Sequence, residues 1–97
     1  MIRTRYYIGL TTRHGEPVSH EMQEQAIECC ASAYSGGCTA YYVEGYWRGQ
    51  RERTLILEAM TDDRLPDIAR QLGMLADQDT VLWTAEPVTA GFVKVRA

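Results

Sequence analysis

The chain has 97 residues, a formal net charge of −3, and hydrophobic and charged fractions of 45% and 24%. This length and composition predict one globular domain and are unlike those of disordered chains. Because the chain is mildly acidic and has no basic stripe, we expect neither nucleic acid nor an anionic membrane as a partner.

The three cysteines, Cys29, Cys30 and Cys38, indicate a reducing compartment. An odd number with two adjacent residues does not suit the disulfide framework of a small secreted protein. The chain begins with a strand-like pattern rather than an apolar signal region, and no apolar run approaches the ~20 residues of a membrane span. We therefore expect a cytoplasmic protein with buried thiols. The cysteine spacing fits no zinc pattern, so neither a metal nor another cofactor is predicted.

Hydrophobic periodicity predicts six elements in the chain. Residues 2–11 form the first strand, with a turn at 14–17 after it. A helix then begins at Ser19, a good N-cap, and runs to about Tyr34, where Ser35-Gly36-Gly37 ends it. The helix carries an apolar stripe that includes either Cys29 or Cys30, since only one of two vicinal residues can face a core.

The second half of the chain repeats this alternation. Strands at 38–47 and 52–60 flank a hairpin connection at 48–51 that contains Gly49. A second helix is capped by Asp62 or Asp63, with Pro66 in its first turn. Its apolar stripe contains Leu65, Ile68, Leu72 and Leu75. A fourth strand covers residues 80–85.

The order β-α-β-β-α-β predicts a ferredoxin-like α+β domain over residues 1–87, with a four-stranded antiparallel sheet and two helices on one face. Right-handed crossovers place the first and third strands in the centre. Residues 88–97 form a tail in which 91–95 are a candidate edge strand or oligomer arm. We expect Phe92 and Val93 to dock on a neighbouring edge.

Several short motifs support this fold by resemblance. The chain contains Thr4-Arg5-Tyr6-Tyr7-Ile8-Gly9-Leu10, Gly37-Cys38-Thr39, Gly45-Tyr46-Trp47-Arg48 and Gln78-Asp79-Thr80-Val81-Leu82. These resemble a small bacterial family of unknown function with the pattern T-x-L-Y-F-G-L, G-L-T, G-x-W-R and Q-x-S-V-L. The chain departs from the pattern at Arg5, where the family has an acidic residue, and in its more aromatic second strand. The resemblance covers residues 4–83 and implies a fold but no catalytic residue.

The candidate binding residues lie on the first strand and around the hairpin. Tyr7, Tyr42 and Tyr46 are predicted to line the open sheet face. Around the turn, Trp47, Arg48 and Glu52 suggest a ligand clamp with an indole platform, a guanidinium for an anion and an orienting carboxylate. In the alternative, structural interpretation, Trp47 fills the edge of the core, and Arg48 pairs with Glu52 across the hairpin.

The sequence is consistent with two functions. The first is a non-enzymatic binding module that self-associates through its aromatic sheet face, a dimer being the first expectation. Its small acidic format would also suit a phage or mobile-element accessory protein that inhibits a host factor. The second is a small dimeric α+β-barrel enzyme that acts on a small organic molecule without metal, with His14 as base. Base stacking on the aromatic face is not favoured, because the third strand lacks the basic and aromatic residues of RNA-binding sheets.

Overall fold

The computed structural model describes residues 1–62 and 68–96. Its elements in chain order are β1 (Ile2–Gly9), α1 (His20–Ala33), β2 (Thr39–Trp47), β3 (Gln50–Thr61), α2 (Ile68–Leu75) and β4 (Leu82–Pro87). The strands form one antiparallel sheet in the order β2-β3-β1-β4. Both helices pack on one face, which confirms the predicted ferredoxin-like α+β fold with β1 and β3 in the centre.

The core lies between the sheet and the helices. Successive side chains of each central strand point to opposite faces of the sheet, so every second residue of β1 and β3 faces the helices. Tyr6 and Ile8 of β1 pair with Leu57 and Leu55 of β3, and these four side chains all face the helices. The largest fully buried side chains are Ile8, Leu55, Leu57, Leu72 and Cys30. Cys30 is therefore the member of the vicinal cysteine pair that faces inward, while Cys29 and Cys38 are half-buried.

One buried polar contact crosses this core. The hydroxyl groups of Tyr6 and Tyr34 share a hydrogen bond, and the ring centroids lie 6.5 Å apart. Removal from water disfavours phenolate, so burial raises the pKa of both side chains. Tyr34 also caps α1, since its backbone N–H reaches the carbonyl of Cys30. The pair therefore ties the end of α1 to the central strand.

The hairpin between β2 and β3 is tighter than predicted. Trp47 pairs directly with Gln50, so only Arg48 and Gly49 form the turn. Their φ angles are 51° and 78°, as in the type I′ turns that match the twist of two-residue hairpins. The predicted connection at 48–51 was therefore two residues too long, and β3 begins at Gln50.

In the second half of the chain, α2 ends at Leu75 and β4 ends at Pro87. The predicted positions of Asp63, Leu65 and Pro66 lie outside the described residues, and Asp62 forms a bend after β3. Beyond β4, residues 88–96 have no regular secondary structure. Among the described residues, no helix is both long and apolar enough to cross a membrane.

Candidate functional site

The face of the sheet opposite the helices carries a charged band at one end. This band is defined by Arg3, Arg5, Glu58 and Glu86. Arg3 Nε donates to Glu86 Oε1 at 2.9 Å, and Arg5 Nε donates to Glu58 Oε1 at 2.6 Å. The hydrogen bond with Glu58 holds the pKa of Arg5 above its ordinary value, and the hydrogen bond from Arg3 lowers the pKa of Glu86. Because the four charges are paired with one another, the band carries little net field.

A row of aliphatic and aromatic side chains crosses all four strands beside these charges. In the register, Leu82 pairs with Tyr7, Tyr7 with Ile56, and Ile56 with Tyr41. Ile56 is only 6% exposed although it faces away from the helices. The Tyr41 hydroxyl donates to Glu58 Oε1 at 3.3 Å, and partial burial, with Glu58 as a lesser cause, raises the Tyr41 pKa. The open face thus has its own ordered apolar layer.

A groove of about 390 Å³ occupies the other end of the open face. Its lining includes Tyr7, Gly9, Gly45, Trp47, Glu52 and Leu82. Two strand glycines, Gly9 and Gly45, provide its floor. A Cβ on Gly45 would lie 2.7 Å from Thr54 Oγ1, and a Cβ on Gly9 would lie 2.5 Å from Glu52 Oε1. Glycine in a strand often marks such a close approach of another group.

The groove is acidic. Glu52 accepts a hydrogen bond from the backbone N–H of Thr11 at 3.0 Å, and its carboxylate lies against Gly9. Glu44 also contributes to the groove lining, but the register directs its carboxylate to the helix side, where it pairs with Arg51 at 3.2 Å. Within residues 1–62 and 68–96, no cation lies within ion-pairing distance of Glu52. A carboxylate without a cation between the aromatic side chains Tyr7 and Trp47 suits a positively charged group.

A loop fixes the amide that holds Glu52. Gln78 Nε2, which follows α2, donates to the carbonyls of Thr11 and Ala76 at 3.0 Å each. Arg13 Nε lies 2.8 Å from Asp77 Oδ1, and the backbone N–H of Arg13 donates a hydrogen bond to the backbone carbonyl of Asp77. These contacts tie the loop after β1 to the end of α2. His14, the predicted general base, is exposed in this loop and does not line the groove.

Four of the six predicted site residues contribute to the groove lining, namely Tyr7, Tyr46, Trp47 and Glu52. The register of β2 directs the Tyr46 side chain to the helix side, so the side chains that meet in the groove are those of the other three. Arg48 lies in the hairpin turn instead. The structural interpretation of this group is wrong as well, because Trp47 is 62% exposed on the open face rather than part of the core edge. The ion pair near the turn joins Arg51 with Glu44, not Arg48 with Glu52.

The prediction that Tyr42 and Tyr46 line the open face with Tyr7 is wrong. Tyr42 pairs with the core residue Leu55, and Tyr46 pairs with Arg51, so the side chains of both point to the helix side. The Tyr42 hydroxyl donates to Gln23 Oε1 of α1 at 2.9 Å, and the Arg53 guanidinium lies 4.8 Å from its ring centroid. The aromatic side chains that β2 presents on the open face are those of Tyr41 and Trp47.

Sequence reasoning also missed the groove floor, although signals for it were present. Gly9 and Gly45 each interrupt a strand, and an isolated strand glycine indicates a close backbone approach. The two-residue turn would have supplied the register: pairing Trp47 with Gln50 puts Tyr41 opposite Ile56 and Tyr42 opposite Leu55. Since Leu55 belongs to the apolar face of its strand, this register alone assigns Tyr42 to the helix side.

The fold and the groove define a ferredoxin-like α+β domain with an uncovered aromatic sheet face. Neither a scan against protein-family models nor a search of curated proteins gives a match for the chain. The resemblance to the small bacterial family therefore stays a prediction.

Proposed function

We propose that this chain is a non-enzymatic binding module that self-associates through its open sheet face. The observation that carries the proposal is the exposure of large apolar side chains on this face. Trp47 is 62% exposed, Leu82 54%, Met60 42% and Val43 37%. Several exposed apolar side chains on one sheet face are typical of protein interfaces, in which aromatic residues are enriched.

The charged band supports the same proposal. Burying an unpaired charge in an interface is costly, whereas charges that are already paired and hydrogen-bonded lose less on desolvation. Arg5 and Glu58 are bonded to each other, and Arg3 is bonded to Glu86. The open face could therefore be covered by a second copy without leaving these four charges unpaired.

The test compares two double variants with matched positions. Trp47→Ala with Leu82→Ala removes apolar side chains from the open face on strands β2 and β4. Tyr46→Ala with Trp83→Ala removes side chains of similar size and exposure, 71% and 56%, from the same two strands on the helix side. Circular dichroism establishes that both variants remain folded.

Light scattering over a concentration series then gives the solution mass. We expect the native chain at about twice its 11.0 kDa mass, the open-face variant at the monomer mass, and the helix-side variant unchanged. A native chain that stays monomeric at about 0.1 mM, where weak but specific dimers with micromolar Kd are fully formed, would overturn self-association. Dissociation by the helix-side variant alone would instead place the contact on the other face.

A second candidate is the small dimeric α+β-barrel enzyme, and the groove is the observation that favours it. Two open faces packed together would enclose the groove, with Glu52 and Tyr7 inside. The exposed His14 could not act as the base there, so the role would pass to Glu52. A structure of the dimer distinguishes the candidates: a closed cavity around Glu52 favours the enzyme, and a filled contact favours the binding module.

A further inference from the structure

We infer that the groove binds the arm of a second copy of this chain, with Lys94 of the arm paired with Glu52 and Phe92 against the aromatic side chains. The arm is defined as residues 89–96. This inference rests on the proposed self-association, since it names the segment that a partner copy contributes to the open face.

The arm is exposed in the single chain. Phe92 is 92% exposed, Val93 85% and Val95 83%. The last backbone hydrogen bond of this region to the sheet joins Val88 N to the Met1 carbonyl at 2.9 Å. The molecule measures 50 × 26 × 25 Å, which is far longer than wide for a chain of this size. These three apolar side chains have larger exposed fractions than any on the sheet. Covering them with a second surface would remove apolar area from water, which is favourable.

The arm and the groove have opposite charges. Residues 88–96 contain Lys94 and Arg96 and no acidic residue. The groove contains the carboxylate of Glu52, which has no cation beside it in the described ranges, whereas the carboxylate of Glu44 lies on the helix side and is paired with Arg51. The arm thus supplies the kind of charge that the groove lacks. Electrostatic complementarity of this type favours a specific register over nonspecific apolar contact.

The arm also has the spacing that the groove needs. In an extended segment, side chains two residues apart share one side and lie about 7 Å apart along the chain. Phe92 and Lys94 therefore point in the same direction. The groove offers the rings of Tyr7 and Trp47 beside the carboxylate of Glu52, so one extended segment can place an aromatic ring and an ammonium group there together.

The fold places the arm of a partner, not its own, next to the groove. β4 runs away from the groove, from Leu82 beside Tyr7 to Pro87 beside Ile2. The arm thus leaves the sheet at the end opposite Gly9 and Glu52. If two open faces pack with their strands antiparallel, the point where one arm begins lies over the groove of the other copy. Eight extended residues span about 26 Å, enough to cross that groove.

The test uses residues 1–88 with Trp83→Phe, so that Trp47 is the only tryptophan. This fragment keeps all six elements and the Val88 hydrogen bond. A synthetic peptide of residues 89–97 is titrated against it, and Trp47 fluorescence reports binding. The first control peptide carries Lys94→Glu and Arg96→Glu, and the second has the same composition in scrambled order. A fragment with Glu52→Gln provides the matching change in the groove.

We expect saturable binding of the native peptide that weakens as salt is raised, and binding about tenfold weaker for the charge-reversed peptide and for Glu52→Gln. Equal binding of the native and scrambled peptides would overturn the inference, because the groove would then accept any cationic apolar segment. Absence of binding would also overturn it.

Light scattering of the fragment separates this inference from the proposed function. If residues 1–88 still dimerise and the peptide does not bind, the arm contact is overturned and the sheet contact stands. If residues 1–88 are monomeric and the native peptide binds them with the expected charge dependence, the arm contact stands, and contact between the sheet faces alone as the cause of dimerisation is overturned.

Discussion

The carboxylate of Glu52 lies on the backbone of Gly9, close enough that a Cβ at Gly9 would be 2.5 Å from Oε1 and 2.9 Å from Oε2. The missing side chain at position 9 lets a residue of β3 reach the amide of Thr11 beyond the end of β1. The groove therefore depends on a glycine in one strand and a glutamate in the next. Neither residue alone marks a site in the sequence.

The two strand glycines should respond differently to substitution by alanine. At Gly9 the new Cβ meets the far end of a flexible side chain, so Glu52 can move away and the fold should lose less than ~1 kcal/mol. At Gly45 it meets Thr54 Oγ1 on a short, β-branched side chain at 2.7 Å and lies 3.4 Å from the Glu52 carbonyl. We expect Gly45→Ala to cost about 1–3 kcal/mol. Urea unfolding of both variants measures the difference.

A rescue variant checks the cause. Thr54→Ala removes the clashing oxygen, so it should restore part of the stability of Gly45→Ala and none of that of Gly9→Ala. Additive losses in the Gly45→Ala, Thr54→Ala pair would contradict this contact as the source of the cost.

The hydroxyl pair of Tyr6 and Tyr34 should behave as a unit. Tyr6→Phe leaves the Tyr34 hydroxyl buried without its partner, and we expect a loss of about 1–3 kcal/mol in the free energy of unfolding. The double variant with Phe at both positions buries no unpaired hydroxyl, so it should be less destabilised than the sum of the single variants. Urea denaturation of the full cycle tests this, and strict additivity would argue against coupling through the hydrogen bond.

The turn residue Arg48 should be replaceable with a gain in stability. Its φ of 51° is unfavourable for most side chains, whereas Asn tolerates this region and Asn-Gly is the preferred type I′ pair. We expect Arg48→Asn to stabilise the chain by about 0.5 kcal/mol and to leave solution mass and peptide binding unchanged. Thermal unfolding and light scattering provide the readouts. Weaker peptide binding by this variant would show that Arg48 contributes to the binding site.

Alkaline pH should destabilise the fold. Burial raises the pKa of Cys30 to about 12 and also raises the pKa of Tyr6, while thiols and phenols of an unfolded chain titrate near ~8.5 and ~10. Between the unfolded and folded pKa values the native state binds more protons, so the free energy of unfolding falls as pH rises. Each group contributes a slope of at most ~1.4 kcal/mol per pH unit.

Urea unfolding at pH 7, 9 and 10.5 measures this slope. Cys30→Ala should remove the part that begins near pH 8.5, whatever its effect on stability at neutral pH. A stability that stays flat up to pH 10.5 in the native chain would show that neither group is held in its neutral form.

The fold was predictable because its two central strands are strongly patterned. In β1, Tyr6 and Ile8 lie on the face opposite Arg3, Arg5 and Gly9, and in β3, Leu55, Leu57 and Ala59 lie on the face opposite Thr54 and Glu58. Tyr7 and Ile56 depart from this pattern, but the remaining residues of each strand identify its buried face. The edge strand β2 has aromatic residues at both parities, and its own pattern cannot tell the faces apart. Its assignment depends on pairing with β3, and a connection predicted two residues too long hid that pairing.

The site was predictable only in part for a related reason. Tyr7, Trp47 and Glu52 are conspicuous residue types, but the space between them exists because Gly9 and Gly45 contribute no side chain. The acidic character of the groove comes from Glu52, which has no cation within ion-pairing distance among the described residues, while Arg48 lies in the turn. The groove is therefore the reverse of the anion clamp expected from the sequence. The idea of a phage-encoded inhibitor rested on size and charge, and no contact among the described residues bears on it.

The Arg48-Gly49 turn determines which side chains of β2 face the open side of the sheet. A strand shifted by one residue against its neighbour exchanges all its side chains between faces. If one residue were inserted here while the turn kept two residues and the core held β3 in place, the pairing of β2 would shift by one. Tyr42 and Tyr46 would then move to the open face, and Tyr41 and Trp47 to the helix side. A single codon insertion could thus give related chains a different recognition surface on an unchanged scaffold, without altering any residue of the strand.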